Sequence, residues 1–356
     1  MALNRCTPFN RFTHVLPVLF LLGLNLMALS QPAKADEVED FYHGKTISII
    51  VGYSPGGGFD QVSRIFAKHF TAHMPGHPNV IVQNMPGAGS MVAANFVANT
   101  SPRDGTVIGN YNDMMLVAPL LSTAAAKFDP RQFGWLGSFA SRPTPVIFVR
   151  SDSPATTMQE AREKVDLIAA TGPDATSSYA LMSNDLFGTK FKVIMGYKGG
   201  SSDMNLAIER GEAHGRASWD WFALNHDKPD WVKKDFVKVL VQLSLERNPD
   251  PALKAIPYAL ELAKSEEEKM ILELVLGTGK FLRAYSVPPG VPPARLEALR
   301  KAFKETTNDP AFITELVSVY PPGLDYQTPS QIEAFMAKVY TFPKNVIERS
   351  AKYVGE

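Results

Sequence analysis

The sequence predicts an α/β protein of two lobes, each a mainly parallel sheet flanked by helices. Three observations carry that expectation. Between residues 46 and 110 the chain alternates strand, glycine-rich loop and helix, the order of a parallel sheet wrapped by helices. The same order returns between residues 167 and 210 without visible similarity of sequence, so the architecture repeats while the residues do not. The C-terminal part is mostly helical.

Each element has its own signal. Thr46–Gly52 is almost entirely apolar and β-branched, as a strand covered on both faces requires. Tyr53–Phe59 follows as a loop with consecutive glycines. Asp60 reads as the cap of a helix that carries Val62, Ile65, Phe66 and Phe70 on one face. Val80–Gln83 is a second strand, Asn84–Gly89 a second glycine loop, Ser90–Ala98 a helix of small residues, and Thr106–Asn110 a third strand. In the second unit Thr157 and Glu160 form a capping box. Leu167–Thr171 and Phe191–Gly196 read as strands running into the polar loops Gly172–Ser178 and Tyr197–Ser201, with helices reaching about Phe187 and Arg210. Pro292-Pro293 opens a helix with Leu296, Leu299 and Phe303 inward, and Asp309-Pro310 restarts one as cap and first residue. Thr328 and Gln331 box the start of the last helix, which Pro343 interrupts.

Residues 1–35 read as an export leader: Arg5 and Arg11, the apolar stretch Val15–Leu29, then Ala33-Lys34-Ala35. The stretch is short for a membrane span, so cleavage after Ala35 and a periplasmic location are expected. The only cysteine, Cys6, leaves with the leader, which excludes disulfides, thiol nucleophiles and thiolate metal sites from the mature chain. The leader takes three basic residues and no acid, leaving 33 basic against 36 acidic residues. That balance, without a basic block, argues against nucleic acid as a partner.

The chemistry lies in the glycine loops. Backbone N–H groups of a glycine turn, backed by a helix N-terminus, bind anions, and in open parallel sheets ligands sit beyond the carboxyl ends of the strands. Pro55–Asp60 and Pro86–Ser90 both lie there, and neither contains Lys or Arg, so the anion would be held mainly by neutral donors. Nucleotide readings fail. Gly56-Gly57-Gly58 puts Gln61, and Gly87-Ala88-Gly89 puts Val92, where a dinucleotide fingerprint needs its last glycine. Gly44-Lys45-Thr46 has Glu39 where a P-loop has its first glycine, and G-x-S-x-G is absent.

Ile47–Asp60 followed by Asn84-Met85-Pro86-Gly87-Ala88-Gly89 resembles the paired signature of the tripartite tricarboxylate transporter receptors, also called TctC or Bug-type periplasmic solute-binding proteins. Pro102–Thr106, with Arg103 inserted, is similar to the family's P-D-G turn, Tyr197–Gly200 to its second-lobe loop, Gly211-Glu212-Ala213 to the G-x-V/A after it, and Pro288–Pro292 to its P-x-G-x-P. The resemblance implies a Venus-flytrap fold that holds a small organic carboxylate between lobes and delivers it to membrane subunits of a secondary transporter. It implies that backbone amides of Gly56, Gly57, Gly58, Gly87, Ala88 and Gly89 hold the carboxylate. Asp60 and Asn84 belong to the same motifs, and Thr171, Ser177, Tyr197, Lys198, Gly199, Trp219 and Asp220 complete the candidate set from the second lobe. The lobes are expected to span residues 36–141 with 285–356, and 142–284. No catalytic residue, metal or cofactor is expected, and the chain is expected to act as a monomer.

Some features depart from the family pattern or stay open. Phe59 replaces its usual Thr or Ser, the second-lobe G-x-x-G reads Thr171-Gly172-Pro173-Asp174, and Ala217–Trp221 replaces a small or acidic stretch. Asp60 is either a cap, paired with Arg64 one turn on, or a ligand contact. Trp219 and Trp221 alternate as on a strand and face either the core or the cleft. Lys198 either reaches a second anionic group or is solvated. His69 and His73 share a helix face but have no carboxylate neighbour in sequence, so an exposed polar face is favoured over a metal site. Two further functional classes stand beside transport: the ligand receptor of a sensor, and a periplasmic α/β enzyme.

Overall fold

The computed structural model describes residues 33–121, 124–139, 144–172, 175–197, 200–319 and 324–353. The leader expectation, with Cys6, falls almost wholly outside them. So do Lys198 and Gly199 of the candidate site, and Pro173 and Asp174.

The strands are β1 (Thr46–Val51), β2 (Asn79–Asn84), β3 (Val107–Asn110), β4 (Gly134–Phe139), β5 (Pro145–Arg150), β6 (Leu167–Ala170), β7 (Lys192–Met195), β8 (Gly215–Asp220), β9 (Val237–Gln242), β10 (Ala284–Val287) and β11 (Tyr326–Gln327). The helices are α1 (Ala33–Tyr42), α2 (Gly58–His73), α3 (Met91–Asn99), α4 (Met158–Ala161), α5 (Ala175–Phe187), α6 (Ser201–Arg210), α7 (Trp221–Asp227), α8 (Pro229–Lys233), α9 (Ala259–Leu262), α10 (Glu266–Leu276), α11 (Pro293–Asn308), α12 (Pro310–Val319), α13 (Pro329–Val339) and α14 (Lys344–Ala351).

Two sheets result, ordered β11-β4-β10-β3-β1-β2 and β7-β6-β8-β5-β9. β1 runs parallel to β2 and β3, and β6 parallel to β7 and β8, as the alternation of strands and helices requires. The other pairings are antiparallel, so the sheets are mixed, and the expectation of mainly parallel sheets describes only part of each. The connectivity explains this. β4 leaves the first sheet at the end where β1–β3 finish. The chain then enters the second sheet at its own carboxyl edge, where Pro145 of β5 pairs with Asp220, the last residue of β8. A strand that enters there must run against β6–β8. The return into β10 repeats the arrangement in the first sheet, with Tyr285 opposite Asn110.

The first sheet is anchored by an aromatic cluster. Phe66 of α2, fully buried, lies 4.9 Å from Phe70, 5.3 Å from Phe139, 4.8 Å from Tyr285 and 5.1 Å from Phe303 between ring centroids. It holds α2, and with it the first glycine loop, against β4, β10 and α11. The C-terminal helices close the structure as read from sequence. Asp309 caps α12 by accepting from the Ala311 N–H at 2.8 Å, Thr328 and Gln331 complete the capping box of α13, and Pro343 separates α13 from α14. α14 reaches across to the second unit: Arg349 bonds Asp185 of α5 at 3.1 Å and Glu267 of α10 at 2.9 Å, and the Tyr353 hydroxyl donates to Asp185.

Candidate functional site

β1, β2 and β3 all end at one edge of the first sheet, so the loops Tyr53–Gly57, Met85–Ser90 and Tyr111–Asn112 converge there. β10 runs the opposite way and brings Arg283, the residue before it, to the same edge. The carboxyl edge of the second sheet faces this one. Tyr179, on α5 after β6, is half-buried; desolvation raises its phenol pKa, and the Asp113 charge raises it further.

The helix after β1 starts at Gly58, and its N-cap is Gly57, with extended φ −77° and ψ 170°. Asp60 is therefore not the cap. It lies in the first turn, almost completely buried, and its carboxylate looks back toward the loop. Oδ2 accepts from the Gly56 N–H at 2.8 Å and from Arg64 Nε at 3.0 Å, and Oδ1 accepts from Asn84 Nδ2 at 2.9 Å. Asn84, the last residue of β2, also donates to the Tyr53 carbonyl at 3.0 Å, and Arg64 Nη2 donates to Asn84 Oδ1 at 3.2 Å. Asp60, Asn84 and Arg64 thus tie the first loop to the root of the second. The expected pairing of Asp60 with Arg64 is present. The cap went to glycine because a carboxylate in the first turn satisfies the Gly56 N–H and the Asn84 amide together.

The second loop holds a run of left-handed residues: Gly87 (φ 143°), Ala88 (44°), Gly89 (58°) and Ser90 (82°). Ala88 and Ser90 carry side chains in a conformation that costs free energy and is found where surroundings enforce it. Ser90 is enforced by burial, by donating to the Gly52 carbonyl at 3.2 Å and by accepting from the Asn112 N–H at 3.2 Å. Successive N–H groups in such a run form an anion-binding concavity. Among the described residues no backbone acceptor is bonded to the N–H groups of Gly57, Gly58, Phe59, Ala88 or Gly89. The Gly56 N–H, by contrast, is committed to Asp60. The two loops therefore present open donors from a helix N-terminus and a strained turn, at the edge where the lobes meet.

The electrostatics are shaped by burial. Burial raises the Asp60 carboxyl, but the hydrogen bonds from Arg64, Gly56 and Asn84 outweigh it and leave the pKa below the ordinary 3.8. A depressed folded value contributes stability above the unfolded pKa and loses it as pH falls through the folded one. Denaturation midpoints should therefore drop from about pH 4 downward, and an Asp60→Ala variant should show a shallower drop. Equal slopes in the two proteins would count against a depressed Asp60. Asp113 goes the other way: burial pushes its carboxyl up, against a hydrogen bond with Thr278 and the charge of Arg283.

In the second unit the described candidate residues are held by neighbours within the fold. Asp220 caps α7, accepting from Phe222 and Ala223 N–H groups at 3.1 and 3.2 Å and from the Thr144 N–H at 2.7 Å, so its oxygens hold the chain where it enters the second sheet. Trp221 is not on the strand. β8 ends at the Asp220 cap, and Trp221 opens α7 with its indole N–H donating to Asp250 at 2.7 Å. Trp219, 7% exposed, packs 6.1 Å from Trp231 and 6.0 Å from Phe148, with the Arg216 guanidinium 4.7 Å over its ring. Both tryptophans are core. The Thr171 N–H donates to Thr176 Oγ1 at 3.0 Å and its hydroxyl lies 3.1 Å from the same oxygen, tying the end of β6 to the first turn of α5, where Ser177 is buried. Tyr197 packs beside the same tryptophan cluster. A cavity of about 870 Å³ lies further along the interlobe face, lined among others by Pro145, Tyr179, Leu243, Phe281 and Phe335 and by none of the glycine-loop residues.

His69 and His73 are half-buried rather than an exposed face. His69 Nε2 is 2.8 Å from Glu315 and His73 Nε2 3.1 Å from Asp309, which ties α2 to α12. Among the described residues no three His, Cys, Asp or Glu side chains are grouped to hold a metal. Sequence reasoning missed Arg283, Asn112 and Tyr53. Asn112 donates to the Tyr53 hydroxyl at 2.6 Å, and Tyr53 stacks on Phe59 at 4.4 Å.

Two α/β units that meet at their carboxyl edges, one of them offering an array of open amides, define the two-lobed class of solute-binding proteins. The chain belongs to the tripartite tricarboxylate transporter family receptors, whose profile matches residues 62–348. It is 26% identical over 338 residues to a UPF0065 protein of Cupriavidus necator, covering 92% of this chain and 93% of that one. The fold is similar to a TctC solute-binding protein from Polaromonas (20% identity, TM-score 0.63, 86% of this chain and 99% of that chain). It is also similar to MatC of Rhodopseudomonas palustris with bound malate (17% identity, TM-score 0.54, 86% and 99%).

Proposed function

We propose that this chain is an extracytoplasmic receptor that captures a small organic carboxylate between its lobes and delivers it to membrane subunits of a tripartite-tricarboxylate-type transporter. The observation that carries this reading is the array of open N–H groups on Gly57, Gly58, Phe59, Ala88 and Gly89, held in place by Asp60 and Asn84. Such donors suit a carboxylate that must later be released, and malate in MatC supports the ligand class. Among the described residues no helix is long and apolar enough to cross a membrane. In this reading the leader is cleaved after Ala35, and the mature chain works as a periplasmic monomer that binds without catalysis. The lobes, residues 36–141 with 285–356 and residues 142–284, hinge about the segments that join them, with ligand favouring the closed form.

A thermal-shift screen of mono-, di- and tricarboxylates on the mature protein tests the reading. A ligand present at a hundred times its Kd adds about 2.7 kcal/mol, which should raise the melting temperature by a few degrees. A screen in which no carboxylate stabilises the protein, while uncharged sugars do, overturns the ligand class.

A further inference from the structure

We propose that Arg283 is the cation that sets the affinity of the glycine loops for their anion, an inference that rests on the carboxylate reading above. Arg283 reaches the site from a remote part of the chain because β10 runs antiparallel to β3. It is only 6% exposed and adopts φ +60°, a left-handed conformation that non-glycine residues hold where surroundings enforce it. Its Nη2 lies 3.4 Å from the point where a Cβ on Gly58 would stand, so a side chain at position 58 would crowd it. The guanidinium sits 5.4 Å over the Phe59 ring, and Phe59 in turn stacks on Tyr53. Phe59, the aromatic that replaces the family's usual hydroxyl residue, thus forms a shelf under the charge.

The guanidinium stands beside the start of α2. The N-terminus of α2 carries partial positive charge, and a guanidinium beside it adds to that charge. Asp60 does not offset it, since its oxygens are taken by Arg64, Gly56 and Asn84. Asp113 does so in part, because its carboxyl feels the charge of Arg283. A ligand carboxylate on the open amides of Gly57 and Gly58 would stand beside this guanidinium. The loops contain no cation of their own; this one comes from beneath them, desolvated, where a charge-assisted contact is strongest.

Titration calorimetry of the mature protein with succinate, malate, adipate and citrate tests the assignment, using wild type, Arg283→Gln and Arg283→Lys. Loss of charge should weaken binding roughly ten- to hundred-fold, while the lysine variant keeps most of the affinity. A wild type that binds none of the four overturns the carboxylate reading and this inference with it. A folded Arg283→Gln that binds as tightly as wild type overturns this inference alone. If Arg283→Gln fails to fold, Asp113→Asn decides. Removing the competing carboxylate should tighten binding several-fold, and unchanged or weaker binding overturns the assignment.

Discussion

Replacing Asp60 by alanine should weaken carboxylate binding more than tenfold and lower stability by about 2–4 kcal/mol. The substitution removes the acceptor shared by the Gly56 N–H, the Asn84 amide and Arg64, and leaves the two loops without their common anchor. Arg64 is half exposed, so water replaces part of its bonding and limits the loss. Asp60→Asn should also cost about 1–3 kcal/mol. An asparagine would cap a helix almost as well as aspartate, but Asp60 is not a cap, and an amide group would face donors on more than one side. Chemical denaturation and calorimetry, run on both variants, separate the possibilities. Lost binding at full stability would make Asp60 a direct ligand contact; unchanged binding and stability would remove it from the site.

The second large effect concerns the glycines, and the two loops should respond differently. Gly87→Val should abolish binding and destabilise the loop by roughly 2–4 kcal/mol, because φ 143° is closed to valine and its Cβ would stand 2.7 Å from Val92 Cγ2. Gly57 is another matter. Its φ of −77° suits any residue, and the nearest atom to an added Cβ, the Ser54 carbonyl oxygen, is 3.6 Å away. Gly57→Val should therefore stay within about 1 kcal/mol of wild type, the cost of a poorer N-cap. Its side chain would still stand in front of the open amides and reduce affinity at least a hundredfold. Wild-type affinity in Gly57→Val would mean the ligand is held elsewhere.

What could be read from the sequence was local. The run Thr46–Val51, the glycine loops at the strand ends, the Thr328–Gln331 box and the break at Pro343 each declare themselves within a few residues, and each is present. What could not be read depends on partners far along the chain. β5, β10 and β11 run against the other strands and make the sheets mixed, and nothing in Ala284–Val287 announces that it will lie against β3. Arg283 had no motif to mark it, because its role comes from the direction of β10 and not from its neighbours. Asp60 shows the finer limit. Its sequence position fits a cap, and only the place of Asn84 at the end of the adjacent strand explains why its carboxylate turns back instead. Trp221 was misplaced by one residue, since the alternation Trp-x-Trp stops at a cap that itself looks like part of the strand.

The Asp60–Asn84–Arg64 network has a consequence for how such a receptor can diversify. All three residues lie in one lobe, so the amide array is completed when that lobe folds and does not wait for a ligand or for the other lobe. Little ordering entropy is left to be lost when a carboxylate arrives. The opposite lobe is then free to drift. Substitutions in the opposite lobe then leave this network and the amide array it holds undisturbed. Half of the protein can thus vary while the anchored loops keep their shape.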